Sequence, residues 1–474
     1  MINEQVVIPR KMVGRTMIKT SAKYINHENV IPELTKALNT HNQNKNDITY
    51  LEKYYRGDQP ILNRLKKVRP DINNKVVENR ANEIVSFKTG YLCGEPIQYV
   101  SRTGVEEDVK AVNILNNYMY YIDKSAQDQE LVEWANICGT SFRIVLPGND
   151  NECPIEMYTL DPRNTFVVYS NEIGNKPLMG VKYAEDIETG TVRYSIYTER
   201  EYFEVEGDIL KHMERHALKM IPIFEYPANN SRLGSFEIAL PLLDALNTIA
   251  SNRVDGIEQV VQAFFKFVNC DIDDEKYASF LEKGAIAVSG TNGSNADVDL
   301  ICKELNQTQT QITKEDIYNA ILTICGVPSR QNGSTGADTG KAVELRDGWS
   351  LVEARAKDSE TIFKKSEKRM LRLVLSLCKD LKNLDLKLSE IDMKFTRRNY
   401  ENIQTKAQVL DMMLNNEKIH PLDAYLSCGM FSDAESSYKR GMENFEKNGG
   451  REITLNKSQT GDNLIKTETT EGTV

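Results

Sequence analysis

Apolar positions recur at helical spacing through most of the chain and give way to strand alternation in its second quarter. From Asn29 to about Asn46, Ile31, Leu34 and Leu38 fall on one face. From Asn74 to Thr89, ending at Gly90, Val77, Ala81, Ile84 and Val85 do the same. Both stretches predict helices, as do Glu106–Tyr121 and Ala126–Cys138. After Gly139 come short Tyr/Val/Ile-rich runs, among them SFRIVLP, PIEMYTL, NTFVVYS and VRYSIYTEREYFEV, separated by GNDN, NEIGNKP and EDIETG. That texture predicts an antiparallel β region over 140–227.

Helical spacing resumes at Gly234. Ser235 is a candidate cap and Pro241 falls in a first or second turn, where proline is tolerated. Ile238, Leu242, Leu246, Ile249, Ile257, Val260 and Phe264 extend the stripe, with Gly256 as a possible bend. A small mixed insert is predicted over 269–310, then a helix over 312–325. From about Ala342 to Leu384 a long helix is predicted, kinked at Gly348, with Phe363, Met370, Val374, Leu377, Leu381 and Leu384 recurring at threes, fours and sevens. IDMKFTR reads as a strand, and Glu401–Lys447 as two or three helices. The first 25 residues are basic and patternless, which predicts an arm. The last 25 are polar without a buried pattern, which predicts disorder.

Composition narrows the functional classes. With 40% hydrophobic and 27% charged residues the profile is an ordinary soluble one, and the helix and strand patterns above make the expected fold class α+β. No apolar run approaches the ~18 residues of a membrane span, and the N-terminus has no secretory apolar core. The expectation is a protein made in a cytoplasm. Eight cysteines, none in a C-x-x-C pair, predict reduced buried thiols. A net charge of −10 argues against binding DNA through a large counterion-releasing surface.

The stretch GVPSRQNGSTGADTGKAVELR, Gly326–Arg346, suggests a phosphate-binding loop and fails the test for one. That motif needs a glycine where Thr335 stands and Ser or Thr where Ala342 stands, and it follows a strand. Here a helix precedes it. An enzyme driven by nucleotide through the Gly-rich loop 333–341 is therefore the weaker reading. HMERH, His212–His216, has a zinc-like spacing, but Glu214 is misplaced for a general base and no third ligand is evident, so a surface turn is expected. Asp271, Asp273 and Asp274 lack the glycine and glutamate of a calcium loop. The run Lys364, Lys365, Lys368, Arg369, Arg372 reads first as a solvated face or a subunit contact. Neither a metal, a cofactor nor a catalytic set is predicted.

The run from Gly326 to Lys368, GVPSRQNGSTGADTGKAVELRDGWSLVEARAKDSETIFKKSEK, resembles the portal proteins of tailed double-stranded DNA phages, in the branch common in Gram-positive hosts. YYRGDQPIL with NNKVVENRANEIVSFKTGYLCGEPIQY, LDPRNTFVVYS, and GSFEIALPLLDALNTIASNRVDGIEQ resemble further family segments, in order across about residues 50–400. Two departures stand out. Phe236 occupies a place where an acid is expected, and the loop NGSTGADTG is longer than in related proteins.

The resemblance implies a non-enzymatic ring, a dodecamer, at one capsid vertex of the virion, assembled in the host cytoplasm. Double-stranded DNA is packaged and ejected through it. The implied partners are other copies of the chain, the terminase large subunit, the major capsid and scaffolding proteins and a head-completion adaptor. The implied layout is an arm (1–28), a wing (29–235), a stem helix (236–268), a clip (269–310), a second stem helix (311–326), a tunnel loop (327–341), a spine helix with a wing strand (342–400), a crown (401–448) and a disordered tail (449–474). Ser329, Arg330, Gln331, Asn332, Thr335, Asp338 and Lys341 are the expected DNA-facing residues. Asp273, Asp274, Lys276, Glu282 and Lys283 are the expected motor or adaptor contacts. A loop of about 14 residues folded back on itself reaches roughly 20 Å.

Overall fold

The computed structural model describes residues 14–148, 152–261, 264–268, 275, 297–301, 307–328, 348–397, 403–416, 418–428, 430–431 and 434–447. The chain forms two compact units, Met1–Asn399 and Tyr400–Val474. The chain as a whole is mixed α+β, with ten α-helices among the described residues.

The β region of the first unit is two sheets. The larger contains β1 (Ile18–Thr20), β5 (Thr165–Ser170), β6 (Pro177–Glu185), β7 (Val192–Tyr197), β8 (Glu201–Glu206) and β9 (Ile209–Arg215), in the order β1-β5-β6-β7-β8-β9. Its pairs are antiparallel except β1 with β5, which is parallel. The smaller sheet has the order β10-β3-β4, from β3 (Thr140–Pro147), β4 (Ile155–Leu160) and β10 (Ile223–Pro227). Phe142, Ile144, Val167, Tyr169, Ile221 and Ile223 form a core shared by the two sheets. On the larger sheet lies α1 (Val30–Arg56), burying Val30, Leu34 and Ala37 against Phe166, Val181 and Phe203.

Helices α2 (Arg80–Cys93), α3 (Glu106–Tyr121) and α4 (Lys124–Cys138) complete the N-terminal half, with β2 (Gln98–Ser101) between the first two. Glu106, Glu107 and Asp108 open α3, where carboxylates favour the positive end of the helix dipole. Further on, α5 (Leu240–Val261) and α6 (Gln307–Cys325) pair antiparallel, with Arg253 late in α5 donating to Gln311 early in α6 at 2.5 Å. Leu243 and Leu246 of α5 share a core with Ile321 and Leu322 of α6. Strands β11 (Phe264–Val268) and β12 (Asp297–Ile301) pair antiparallel beyond them. Then α7 (Trp349–Lys382) spans 34 residues, about 51 Å at ~1.5 Å per residue. It is followed by β13 (Ile391–Lys394), paired with β2. The second unit is α8 (Ile403–Leu414), α9 (Pro421–Cys428) and α10 (Ala434–Lys447). Its Tyr425 ring lies 5.0 Å from Phe431 and 5.7 Å from Tyr438.

Several expectations change. Residues 14–28 are not a free arm. Ile18 is buried in β1, and the buried guanidinium of Arg15 pairs with Glu237 at 2.5 Å. A three-residue strand is too short for periodicity to reveal. Residues 74–78 do not begin a helix, because their backbone donors are taken elsewhere. Asn74, Val76 and Glu78 donate to the side chains of Asp255, Ser251 and Asn247 on α5. The helix starts at Arg80 and runs past Gly90 to Cys93. Phe264–Val268 forms β11 rather than extending the stem helix, since its partner strand Asp297–Ile301 supplies the ladder. Gly348 starts α7 instead of kinking it, with φ of 77°, a left-handed backbone that no α-helix passes through. Leu381 is exposed. HMERH lies on β9 and just beyond it rather than in a turn; His212 sits 3.5 Å from Glu214, while His216 contacts the Thr198 carbonyl at 3.1 Å. Cys93, Cys138, Cys153, Cys325, Cys378 and Cys428 are buried free thiols. The tail 449–474 lies outside the described residues.

At the centre of the first unit is a buried ionic cluster. Glu367 of α7, fully buried, accepts the hydroxyls of Tyr99 at 2.5 Å and Tyr226 at 2.6 Å and pairs with Lys124 at 2.9 Å. Asp128 pairs with Lys124 and Arg143, each at 2.6 Å. Arg143 lies 3.6 Å from Glu367, with its guanidinium 5.4 Å from the Tyr226 ring. Burial pushes the Glu367 carboxyl up, but Lys124, Arg143 and the two hydroxyls outweigh this and hold it at about 2. A depressed carboxyl contributes stability that is whole above its unfolded value, near 4.5, and is lost as pH falls toward 2. We expect Glu367→Gln to lower unfolding free energy by about 3 kcal/mol at neutral pH, because it leaves buried cations uncompensated. Urea titrations at pH 7, 4 and 2.5 check this: the gap between wild type and variant closes as pH falls.

Candidate functional site

The described residues that flank the Gly-rich segment converge on one point. Helix α6 ends at Cys325, and Val327 donates its N–H back to the Leu322 carbonyl at 2.9 Å. Arg355, two turns into α7, donates from Nη1 to the Ile324 carbonyl at 2.7 Å. Its side chain lies where a Cβ on Gly326 would sit, 2.6 Å from the ideal position, and Gly326 has φ of +70°. Only glycine satisfies both conditions.

The start of α7 is fixed by aromatics and charge. Trp349 lies 6.1 Å from Phe87 and 6.0 Å from Tyr91, which stack on each other at 5.7 Å. The Tyr91 hydroxyl donates to Glu353 at 2.7 Å, and Glu353 pairs with Arg397 at 2.5 Å; Arg397 also pairs with Glu360. The described residues on either side of 329–347 therefore form a braced base. Behind it is a mostly apolar cavity of about 330 Å³, whose wall includes Lys88, Tyr91, Ile238, Cys325, Arg355 and Ile362. Burial lowers the Lys88 ammonium to about 8, with Cys325 opposing and Arg355 adding to the shift.

The expected tunnel residues Ser329, Arg330, Gln331, Asn332, Thr335, Asp338 and Lys341 lie outside the described residues. So do the expected clip residues Asp273, Asp274, Lys276, Glu282 and Lys283, and the Asp271 considered for calcium. The bracing set of Trp349, Glu353, Arg355, Arg397, Phe87 and Tyr91 escaped the sequence reading. A tryptophan and an arginine opening a helix straight after a Gly-rich stretch are the signal for two of them. Ser235 does not cap α5; its hydroxyl donates to Asn136 at 2.7 Å. The place where an acid is expected is filled by Phe236, fully buried and stacked on Tyr54 at 5.8 Å. The acid stands one residue on: Glu237 accepts the Gly234 N–H at 2.9 Å and holds Arg15. Among the described residues no cluster of three or more His, Cys, Asp or Glu side chains is placed to hold a metal ion. No described helix is long and apolar enough to cross a membrane.

A family model described as "Phage portal protein, SPP1 Gp6-like" matches residues 34–444. The chain belongs to this family of phage portal proteins, whose role is structural. Among solved structures it is similar to a chain from the virion of a native gene transfer agent particle, at 10% identity and a TM-score of 0.45, covering 81% of this chain and 94% of that one. It is also similar to a chain from the neck of an empty gene transfer agent particle, at 10% identity and a TM-score of 0.42, covering 74% and 90%. The assignment rests on the family model. No curated protein sequence matches the chain.

Two predictions test the braced base. Gly326→Ala places a side chain at positive φ and displaces Arg355, so stability falls by about 1–2 kcal/mol in urea denaturation. Lys88→Met removes a desolvated charge. A lysine whose folded value lies below its unfolded one costs stability at neutral pH, and that cost fades as pH rises from about 8 toward the ordinary 10.5. The variant is expected to be more stable than wild type at pH 7, with the difference shrinking by pH 10.

Proposed function

We propose that copies of this chain form a ring at one capsid vertex of a phage virion, through which double-stranded DNA is packaged and later released. In this reading the sheets and α1–α4 form the wing, and α5 with α6 the stem. Residues 269–310 form the clip facing the terminase motor and the head-completion adaptor. Residues 327–341 form the tunnel loop, α7 the spine and α8–α10 the crown. The ring is non-catalytic and is built in the host cytoplasm with capsid and scaffolding proteins.

The observation that carries the reading is the family match over 34–444, which spans stem, loop and spine together. The geometry supports it. The antiparallel pair α5–α6 and the spine α7 hold both ends of 329–347 at one braced point, the Arg355–Ile324 bond. Symmetry multiplies Arg330 and Lys341 into rings of cations, facing a duplex with one phosphate per ~1.7 Å of axis. The acidic remainder of the chain keeps DNA from adhering elsewhere, which suits translocation.

Native mass spectrometry with negative-stain averages of the purified protein tests the ring; a closed assembly of roughly twelve subunits with a central hole is expected. The double variant Arg330→Glu/Lys341→Glu is expected to keep the ring mass and to lower nuclease-protected DNA in assembled heads severalfold. Unchanged packaging with an intact ring would remove these two side chains from the DNA path. A chain that stays monomeric beside its capsid and scaffolding proteins would overturn the ring.

A further inference from the structure

Four cations on α7 form no ion pair with a carboxylate among the described residues, although Lys364 beside them pairs with Glu360 at 2.7 Å. Lys365, Lys368, Arg369 and Arg372 fall three, four and seven residues apart and so share one helix face. Arg369 and Arg372 also line a cavity of about 310 Å³, together with Lys176, Pro177, Met220 and Phe224. The site thus combines cations with apolar side chains. Phosphate matches the cations but not the apolar lining. A short aliphatic side chain flanked by carboxylates matches both.

The chain carries that feature itself. The β6–β7 turn presents Glu185, Asp186, Ile187 and Glu188, with Ile187 99% exposed. Asp186 is spent inside the turn, accepting the N–H groups of Glu188 and Thr189 at 2.9 Å each, which fixes how the tip is presented. Glu185 and Glu188 are exposed and have no cationic partner among the described residues. The cavity lies at the Pro177 end of β6 and the knob just beyond its Glu185 end. Nine residues at ~3.3 Å each put them about 30 Å apart, too far to meet within one chain. A patch complementary to a different patch on the same molecule makes a head-to-tail contact, the kind that closes into rings.

We infer that Ile187, with Glu185 and Glu188, inserts into the Met220–Phe224 cavity of the next subunit, whose Arg369 and Arg372 bind the two carboxylates. This rests on the ring reading above and adds its subunit interface.

The test is a charge swap read by native mass spectrometry at fixed protein concentration. Glu185→Lys/Glu188→Lys and Arg369→Glu/Arg372→Glu are each expected to lower the ring population severalfold, and all four changes together to restore it. A second arm leaves the charges alone. Ile187→Cys with Met220→Cys is expected to give a ladder of covalent multimers on mild oxidation, and either cysteine alone none. Charge variants that assemble like wild type, or a double cysteine variant without a ladder, would overturn the interface while leaving the ring standing. Intact rings with weakened binding of a short fluorescent duplex in Arg369→Glu/Arg372→Glu would make the strip a DNA contact instead. A wild-type chain that never forms rings would fail the ring reading itself, and the interface with it.

Discussion

Glu367 fixes where the longest helix of this protein lies. Its carboxylate is sealed from solvent between two cations and two tyrosine hydroxyls, and Asp128 balances the second positive charge. Two positive and two negative groups thus close a neutral cluster drawn from α7, α4, β3, β10 and β2. An apolar seam tolerates a helix sliding by a fraction of a turn. A closed ionic cluster does not, because any slip leaves a buried charge alone. Moving α7 by one residue would bring Ser366 or Lys368 to the position of Glu367, removing the anion or adding a third cation. Specific register, more than net stabilisation, is what such a cluster supplies here.

Register set at Glu367 is transmitted along α7 in both directions. Arg355 lies 12 residues upstream, about 18 Å along a rigid helix, and there it binds the Ile324 carbonyl that ends α6. Trp349 and Glu353 are locked by Phe87, Tyr91 and Arg397 within the same stretch. Downstream, Arg369 and Arg372 sit within two turns of Glu367, facing away from the cluster. The loop base and the cationic strip are therefore placed by one internal reference, and a disturbance at that reference reaches both.

The sequence makes long, strongly periodic elements legible and leaves the rest obscure for physical reasons. Glu106–Tyr121 and the buried stripe Phe363, Met370, Val374 and Leu377 follow from spacing alone, because one face of each helix is buried. The β region is visible from Tyr/Val/Ile-rich runs and turns, but its division into two sheets is not, since a shared core leaves both faces apolar, as in Thr165–Ser170. Residues 74–78 look helical by spacing and are not helical, because the side chains of α5 capture their amides. The braced loop base could not be read, as Phe87, Arg355 and Arg397 meet only through tertiary packing. The ionic cluster escaped for the same reason; a lone glutamate among lysines on a helix gives no sign that it is buried.

The parallel pairing of β1 with β5 has a consequence for the order in which the molecule is completed. Ile18 aligns with Val168, 150 residues later, and Arg15 waits for Glu237, 222 residues later. At ribosomal rates of about 5–20 residues per second, the first described strand stays without its partner for roughly 8–30 s. Closing so long a span carries a large entropic cost and comes late among folding events. Until it closes, β5 has an open edge and Glu237 has no counter-ion, so a growing chain is unfinished at both places. Residues near the start of the chain thus stay undocked until β5 and Glu237 exist, and the still longer span from β2 to β13 closes after them.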